Sequence, residues 1–183
     1  MKLLAGLGEC GSILTNDEQM ISKIKVLRYN GTVNRQTCIV PSLNSRLDSL
    51  QAAILSARIE FAYREIDLRR KNAAIYESLI ADYVTTPSTS DTRNHVFYAY
   101  TIQTEFRDQL QNHLAEFGIE TKIMHPLPMP LHPAYIGSQG EWSNAQLLTS
   151  RILSLPIASH LSESDIESIS GHIIDFFTKE RKS

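Results

Sequence analysis

The feature that most constrains the fold is a stretch without punctuation. No Gly or Pro lies between Asn44 and Tyr83. Leu47, Leu50, Ile54 and Phe61 recur there at helical steps, and a second apolar phase runs through Ile66, Ala73, Tyr76, Ile80 and Tyr83. That periodicity predicts one long helix, or two abutting near Ala62 to Ile66. Ser45-Arg46-Leu47-Asp48 ahead of it has the form of a capping box.

Upstream, Gly6, Gly8 and Gly11 make the first dozen residues a loop, and Ser12-Ile13-Leu14-Thr15 reads as a short strand. Asn16-Asp17-Glu18 offers a cap and first-turn acids to a helix carried by Ile21, Ile24 and Leu27, which Asn30-Gly31 stops. Residues 31–43 read as a loop. The polar run from Thr85 to Thr92 marks a domain boundary.

Beyond it, Val96 to Ile102 alternates like a strand, and Phe106, Leu110, Leu114 and Phe117 mark a helix ending at Gly118. Ile119 to Ile123 reads as a second strand. Pro126, Pro128, Pro130 and Pro133 exclude helix and central strand over 126–133. A helix over 143–154 follows, and Ser162-Glu163-Ser164-Asp165 caps a last one on Ile166, Ile169, Ile173 and Phe176. The second half is thus α+β.

Composition closes several functional classes. The formal net charge is −2, which argues against nucleic-acid binding by bulk charge. No apolar run approaches bilayer length and no signal-peptide core is present. Two cysteines, Cys10 and Cys38, cannot frame a chain of 183 residues with disulfides, so a reduced, cytoplasmic setting is expected.

Chemistry-bearing residues are few. Gly6-Leu7-Gly8-Glu9-Cys10-Gly11 matches a dinucleotide fingerprint literally, but it lacks the preceding strand, the following helix and the later ribose-binding acid. Backbone crowding beside something bulky explains it better. Lys2 by itself reads as a solvated lysine; its place just ahead of this glycine-rich loop also suits an imine-forming nucleophile toward a flat cofactor, given a neutral amine. The start of the helix near Asn44 offers N–H groups to a phosphate, with ordinary capping as the plainer explanation. His125 stands before the proline-rich segment and suits a pocket-lining role. His125 and His132 have no nearby Cys or carboxylate, so no metal site is expected.

Together these segments resemble the second half of the DegT/DnrJ/StrS family of pyridoxal-phosphate-dependent sugar aminotransferases. The resemblance runs from Lys2 to Asp17, through Asn44-Ser45-Arg46-Leu47 with Gln51-Ala52-Ala53, and His95 to Tyr100. It continues through Gly118 to Thr121, His125-Pro126, His132 to Tyr135 and Leu153 to Pro156.

It implies an α/β fold, the C-terminal part of an aspartate-aminotransferase-like (fold type I) transferase. Residues 1–84 would be the tail of the large cofactor-binding domain, and 85–183 an α+β small domain. Lys2 would fall on the lysine that bonds to pyridoxal phosphate and shuttles the proton. Asn44 would reach the cofactor phosphate of a neighbouring subunit, and His125 would lie near the nucleotide-sugar. The implied activity moves an amino group, typically from glutamate, to a nucleotide-linked keto sugar in surface polysaccharide or amino-sugar synthesis. The implied partners are a second copy or a complementing N-terminal half.

The family's first half carries the acid that holds the pyridine nitrogen protonated, the ring-stacking residue and most of the phosphate loop. Only Met1 precedes Lys2 here. A truncated or split-gene product, inactive alone and exposing an apolar face, is therefore expected. A non-catalytic dimerisation module derived from such an enzyme is the alternative.

Overall fold

A computed structural model describes residues 3–88, 95–135, 137 and 140–180. Lys2 lies outside the described residues. The chain divides into two compact units, Met1–Tyr63 and Arg64–Ser183.

In the first unit, helix α1 (Glu18–Leu27) opens on Asp17, whose carboxylate accepts from the backbone N–H groups of Gln19 and Met20 at 2.8 and 3.1 Å. Two orphan donors of the first turn are thereby satisfied. The helix stops where Asn30 and Gly31 enter the left-handed region. The segment read as a loop contains a small hairpin, β1 (Thr32–Val33) against β2 (Thr37–Cys38), turned by Asn34 and Arg35 at φ 51° and 58°. Two successive left-handed residues match the twist of a tight hairpin. Asparagine supports that conformation and arginine gives no such signal, which is why the sequence did not disclose the turn.

Two expectations fail here. Ser12 to Thr15 forms no strand, and Ile13 and Leu14 are 70% and 93% exposed. A strand exists only where its ladder is paired, and no described segment pairs with this one. The capping box at Ser45 does not form either. Tyr29 and Asn44 make an isolated antiparallel bridge, and Ser45 donates its N–H to the Arg28 carbonyl at 2.9 Å. Helix α2 (Ser49–Ile80) starts four residues later, with the Asp48 carbonyl accepting from Ala52 N–H at 2.9 Å. It is one unbroken helix of 32 residues.

No residue of α2 ahead of Asn72 is buried. In the first unit Leu43, Leu50 and Tyr63 are 78%, 73% and 79% exposed, and Ala5 is its sole buried apolar residue among those described. The large apolar side chains exposed by 70% or more, Leu7, Ile13 and Leu14 among them, all lie in the first unit.

The second unit has a core of its own. Strand β3 (Tyr100–Gln103) pairs antiparallel with β4 (Ile152–Leu155), Tyr100 opposite Leu155 and Gln103 opposite Ile152. Thr85 bridges to Gln103 on one side and Lys122 to Ser154 on the other. Helices α3 (Arg107–Glu116), α4 (Ser143–Arg151) and α5 (Glu163–Glu180) complete the unit, with two 3-10 turns, Met129–Leu131 and Pro133–Tyr135, in the proline-rich segment.

Ile80, Ile102, Leu110, Leu114, Leu153, Ile166 and Ile173 are fully buried. Tyr76 stacks on Tyr100 at 4.9 Å and donates its hydroxyl to the Pro156 carbonyl at 2.9 Å. Burial raises the ionisation of both tyrosines, so they remain neutral donors. Asn72, 3% exposed, donates to the Leu161 carbonyl at 3.2 Å. The strand read over Val96 to Ile102 is shorter than expected, because Phe97 turns at φ 44° and only Tyr100 onward joins the ladder. Residues 152–154, read as the end of a helix, belong instead to β4, since pairing with β3 buries Leu153, Ser154 and Leu155.

Candidate functional site

The described residues bring Asn44 into a small donor-rich cluster in the first unit. Its side-chain Oδ1 accepts from Arg46 Nε at 3.1 Å and from the Arg46 N–H at 3.4 Å. That commits the amide oxygen and leaves the Nδ2 hydrogens without a partner among the described residues. The Arg46 guanidinium lies over the Tyr29 ring, 4.3 Å from its centroid, and that of Arg35 at 5.9 Å. Ring contact holds the cations in place while their N–H donors still face water. The Tyr29–Asn44 bridge fixes the spacing of the whole group. The arrangement presents donors of the kind that anions accept from. Its donors are side chains and not the α2 N-terminus, where Asp48 already sets an acid against the positive dipole end.

Gly6 and Gly8 sit against the Gln51 side chain. A Cβ at Gly6 would stand 2.8 Å from Cys10 Sγ and 3.3 Å from Gln51 Oε1, and one at Gly8 would stand 3.0 Å from Gln51 Nε2. Gly11 has open space around it. The glycine pattern therefore serves close approach of a loop to α2, and the next helix is α1, well past the motif. No dinucleotide cradle is formed.

His125 is exposed, at φ 57°, between the Lys122 bridge and the 3-10 turns of the second unit, and its ring makes no hydrogen bond among the described residues. Two clefts of that unit, of about 760 and 570 Å³, are lined by residues such as Glu77, Gln103, Arg70 and Phe97, and neither takes in His125. His113 donates its Nε2–H to the His172 carbonyl, 3.2 Å away, in the packing of α3 on α5. Among the described residues no group of three or more His, Cys, Asp or Glu could hold a metal ion, and no helix is long and apolar enough to cross a membrane.

Sequence reasoning missed Arg58 and Arg35. Arg58 stands seven positions after Gln51 in α2 and donates to the Leu4 carbonyl. A polar pair at that spacing on one helix face was the available signal.

The sequence profile of the DegT/DnrJ/EryC1/StrS aminotransferase family matches residues 1–174, and the chain belongs to that family. It is 37% identical over 183 residues to the "Pleiotropic regulatory protein" of Geobacillus stearothermophilus, covering 96% of this chain and 49% of the relative. It is 33% identical to the dTDP-3-amino-3,6-dideoxy-alpha-D-galactopyranose transaminase of Aneurinibacillus thermoaerophilus, covering 87% and 44%.

Among solved structures, DesV of S. venezuelae superposes with TM-score 0.84 at 30% identity, covering 89% of this chain and 45% of that one. A family aminotransferase from Brucella abortus gives 0.83 at 30%, with the same coverage. The fold is that of fold type I pyridoxal-phosphate aminotransferases. The chain spans about half the length of the curated relatives it matches.

Proposed function

We propose that the chain is the lysine-bearing half of a pyridoxal-phosphate-dependent aminotransferase that moves an amino group, from glutamate, to a nucleotide-linked keto sugar. Residues 1–84 would be the tail of the large domain and 85–183 the small domain. The observation that carries the cofactor part is the Asn44–Arg46–Tyr29 cluster. An uncommitted amide donor and a ring-held guanidinium suit a phosphate dianion, which accepts several charge-assisted hydrogen bonds. The phosphate end of the cofactor therefore fits the residues present.

In this reading Asn44 holds the cofactor phosphate in a neighbouring subunit, and Lys2 holds the cofactor and moves the proton at its Nζ. Bound, the cofactor supplies an electron sink for carbanion chemistry. His125, exposed on its left-handed turn, presents an imidazole to the nucleotide-sugar. Relatives whose names carry dTDP- and UDP-linked sugars support the substrate class. The bare apolar surface of the first unit supports a requirement for further polypeptide, which would bring the ring-nitrogen acid and the stacking residue.

The test is conversion of glutamate to its 2-oxo acid in the presence of a nucleotide-linked keto sugar and cofactor. The chain alone should give no turnover. Turnover should appear when the part of the Geobacillus relative outside the match is supplied in trans. Turnover by the chain alone would remove the requirement for a complement. A chain that neither binds cofactor nor turns over with the complement would instead be the dimerisation module.

A further inference from the structure

We propose that the smaller of the two clefts in the second unit binds a short peptide with free ends, about three residues long, whose carboxylate meets Arg70 and whose ammonium meets Glu77. The proposal stands apart from the transaminase reading and uses none of the site residues named for it.

The cleft, of about 570 Å³, lies against the C-terminal half of α2. Arg70 and Glu77 line it seven positions apart. That is close to two helical turns, so both side chains leave the same face, about 10 Å apart along the axis. Ala73 and Ala74 stand between them, and their small side chains leave a trough. Phe97 and Tyr100, 5% and 1% exposed, give it an aromatic wall. An apolar cavity with a few fixed polar groups is the usual form of a small-molecule site.

Both charged groups are oriented by their neighbours. Arg70 Nε donates to the His95 carbonyl at 2.9 Å, and its Nη1 meets Asp67 at 3.5 Å in an exposed pair of little strength. The Tyr100 hydroxyl donates to Glu77 Oε2 at 3.4 Å. A guanidinium has five donor hydrogens and a carboxylate about four acceptor sites, so these contacts aim each group and leave capacity for a ligand.

The spacing of the charges selects the ligand. A simple anion would meet Arg70 but be repelled by Glu77, and a simple cation the reverse, whereas a zwitterion of matching length satisfies both. A single amino acid carries its two charges on one carbon and cannot reach both ends. An extended chain spans about 3.3–3.6 Å per residue, so three residues set the terminal charges about 10 Å apart. Ser78, which also lines the cleft, gives its hydroxyl hydrogen to the Ile75 carbonyl at 2.8 Å and so offers its oxygen to a peptide N–H. The bound peptide therefore runs antiparallel to α2, its C-terminus toward the Arg70 end.

The experiment is equilibrium dialysis of the full chain against the tripeptide Ala-Phe-Ala, read by mass spectrometry. The peptide is used with free ends, acetylated at its N-terminus, amidated at its C-terminus, and blocked at both. The free-ended form should be retained, and blocking either end should weaken binding about tenfold or more, the loss of one hydrogen bond between charged groups. In Glu77→Gln, acetylation should change affinity by less than about twofold while amidation still costs about tenfold. In Arg70→Gln the pattern should reverse. Ala74→Leu fills the trough at an exposed position of α2 and should abolish binding without disturbing the core.

If Arg70→Gln lowers the melting temperature by loosening the turn at His95, Glu77→Gln and Ala74→Leu decide. No retention of the free-ended peptide, equal retention of the doubly blocked one, or full binding by Ala74→Leu would each overturn the proposal.

Discussion

The apolar surface of the first unit yields a contrast between the isolated and the covered chain. Leu14 is 93% exposed and Leu43 78% exposed. Truncating either to alanine removes almost no buried area from the chain alone, so each should cost no more than about 0.5 kcal/mol of stability. Once covered, each leucine would contribute about 1.5–3 kcal/mol of burial. At about 1.4 kcal/mol per tenfold, Leu14→Ala should weaken association with the covering polypeptide by roughly 10- to 150-fold.

The assay pairs urea unfolding of the isolated chain with calorimetric titration of the uncovered part of the Geobacillus relative into it. Wild type and Leu14→Ala should unfold together and bind apart. A loss above about 1 kcal/mol in the isolated chain would mean that Leu14 is already packed there. Identical affinities would mean that this face meets something else, and concentration-dependent self-association lost in Leu14→Ala would name a second copy.

Three further outcomes follow from the geometry. Ile166→Ala, at a fully buried site of the self-sufficient core, should cost about 2–5 kcal/mol in urea unfolding of the second unit. Asn44→Ala removes an anion-facing donor and the Oδ1 acceptor that orients Arg46; it should weaken cofactor binding about tenfold or more by fluorescence titration, with the melting temperature unchanged. The carboxyl of Asp165 is held below the usual carboxylate range by hydrogen bonds from the Ser162 hydroxyl and N–H, at 2.6 and 2.8 Å. A lowered folded-state value gives stability that is present above the ordinary value of about 4 and is lost as pH falls through the folded one. Asp165→Asn should therefore flatten the acid limb of the stability–pH curve and leave it steeper nowhere.

What the sequence disclosed depended on whether local signals carried the structure. Asp17 and the Ser162–Asp165 box cap their helices as read, because a cap needs only its own turn. The long helix was legible because nothing interrupts it. Strand β4 was missed because Ile152 to Leu155 continues a helical pattern, and only the distant β3 makes it a strand. Ser12 to Thr15 failed in the opposite sense, having strand-forming residues but no described partner. The box at Ser45 failed because Arg28 and Tyr29 capture Asn44 and Ser45 first. The Asn44 cluster was half visible. Asn44 and Arg46 belong to a recognisable run, whereas Tyr29 and Arg35 join them only through the bridge and the hairpin turn.

The most direct measurement is the visible absorption of the chain, mixed with its complement and pyridoxal phosphate, compared with the Lys2→Ala variant. A band that appears in the wild type and is missing from Lys2→Ala is the predicted result. The same band in both proteins, or none in either, would contradict a cofactor centre built on Lys2.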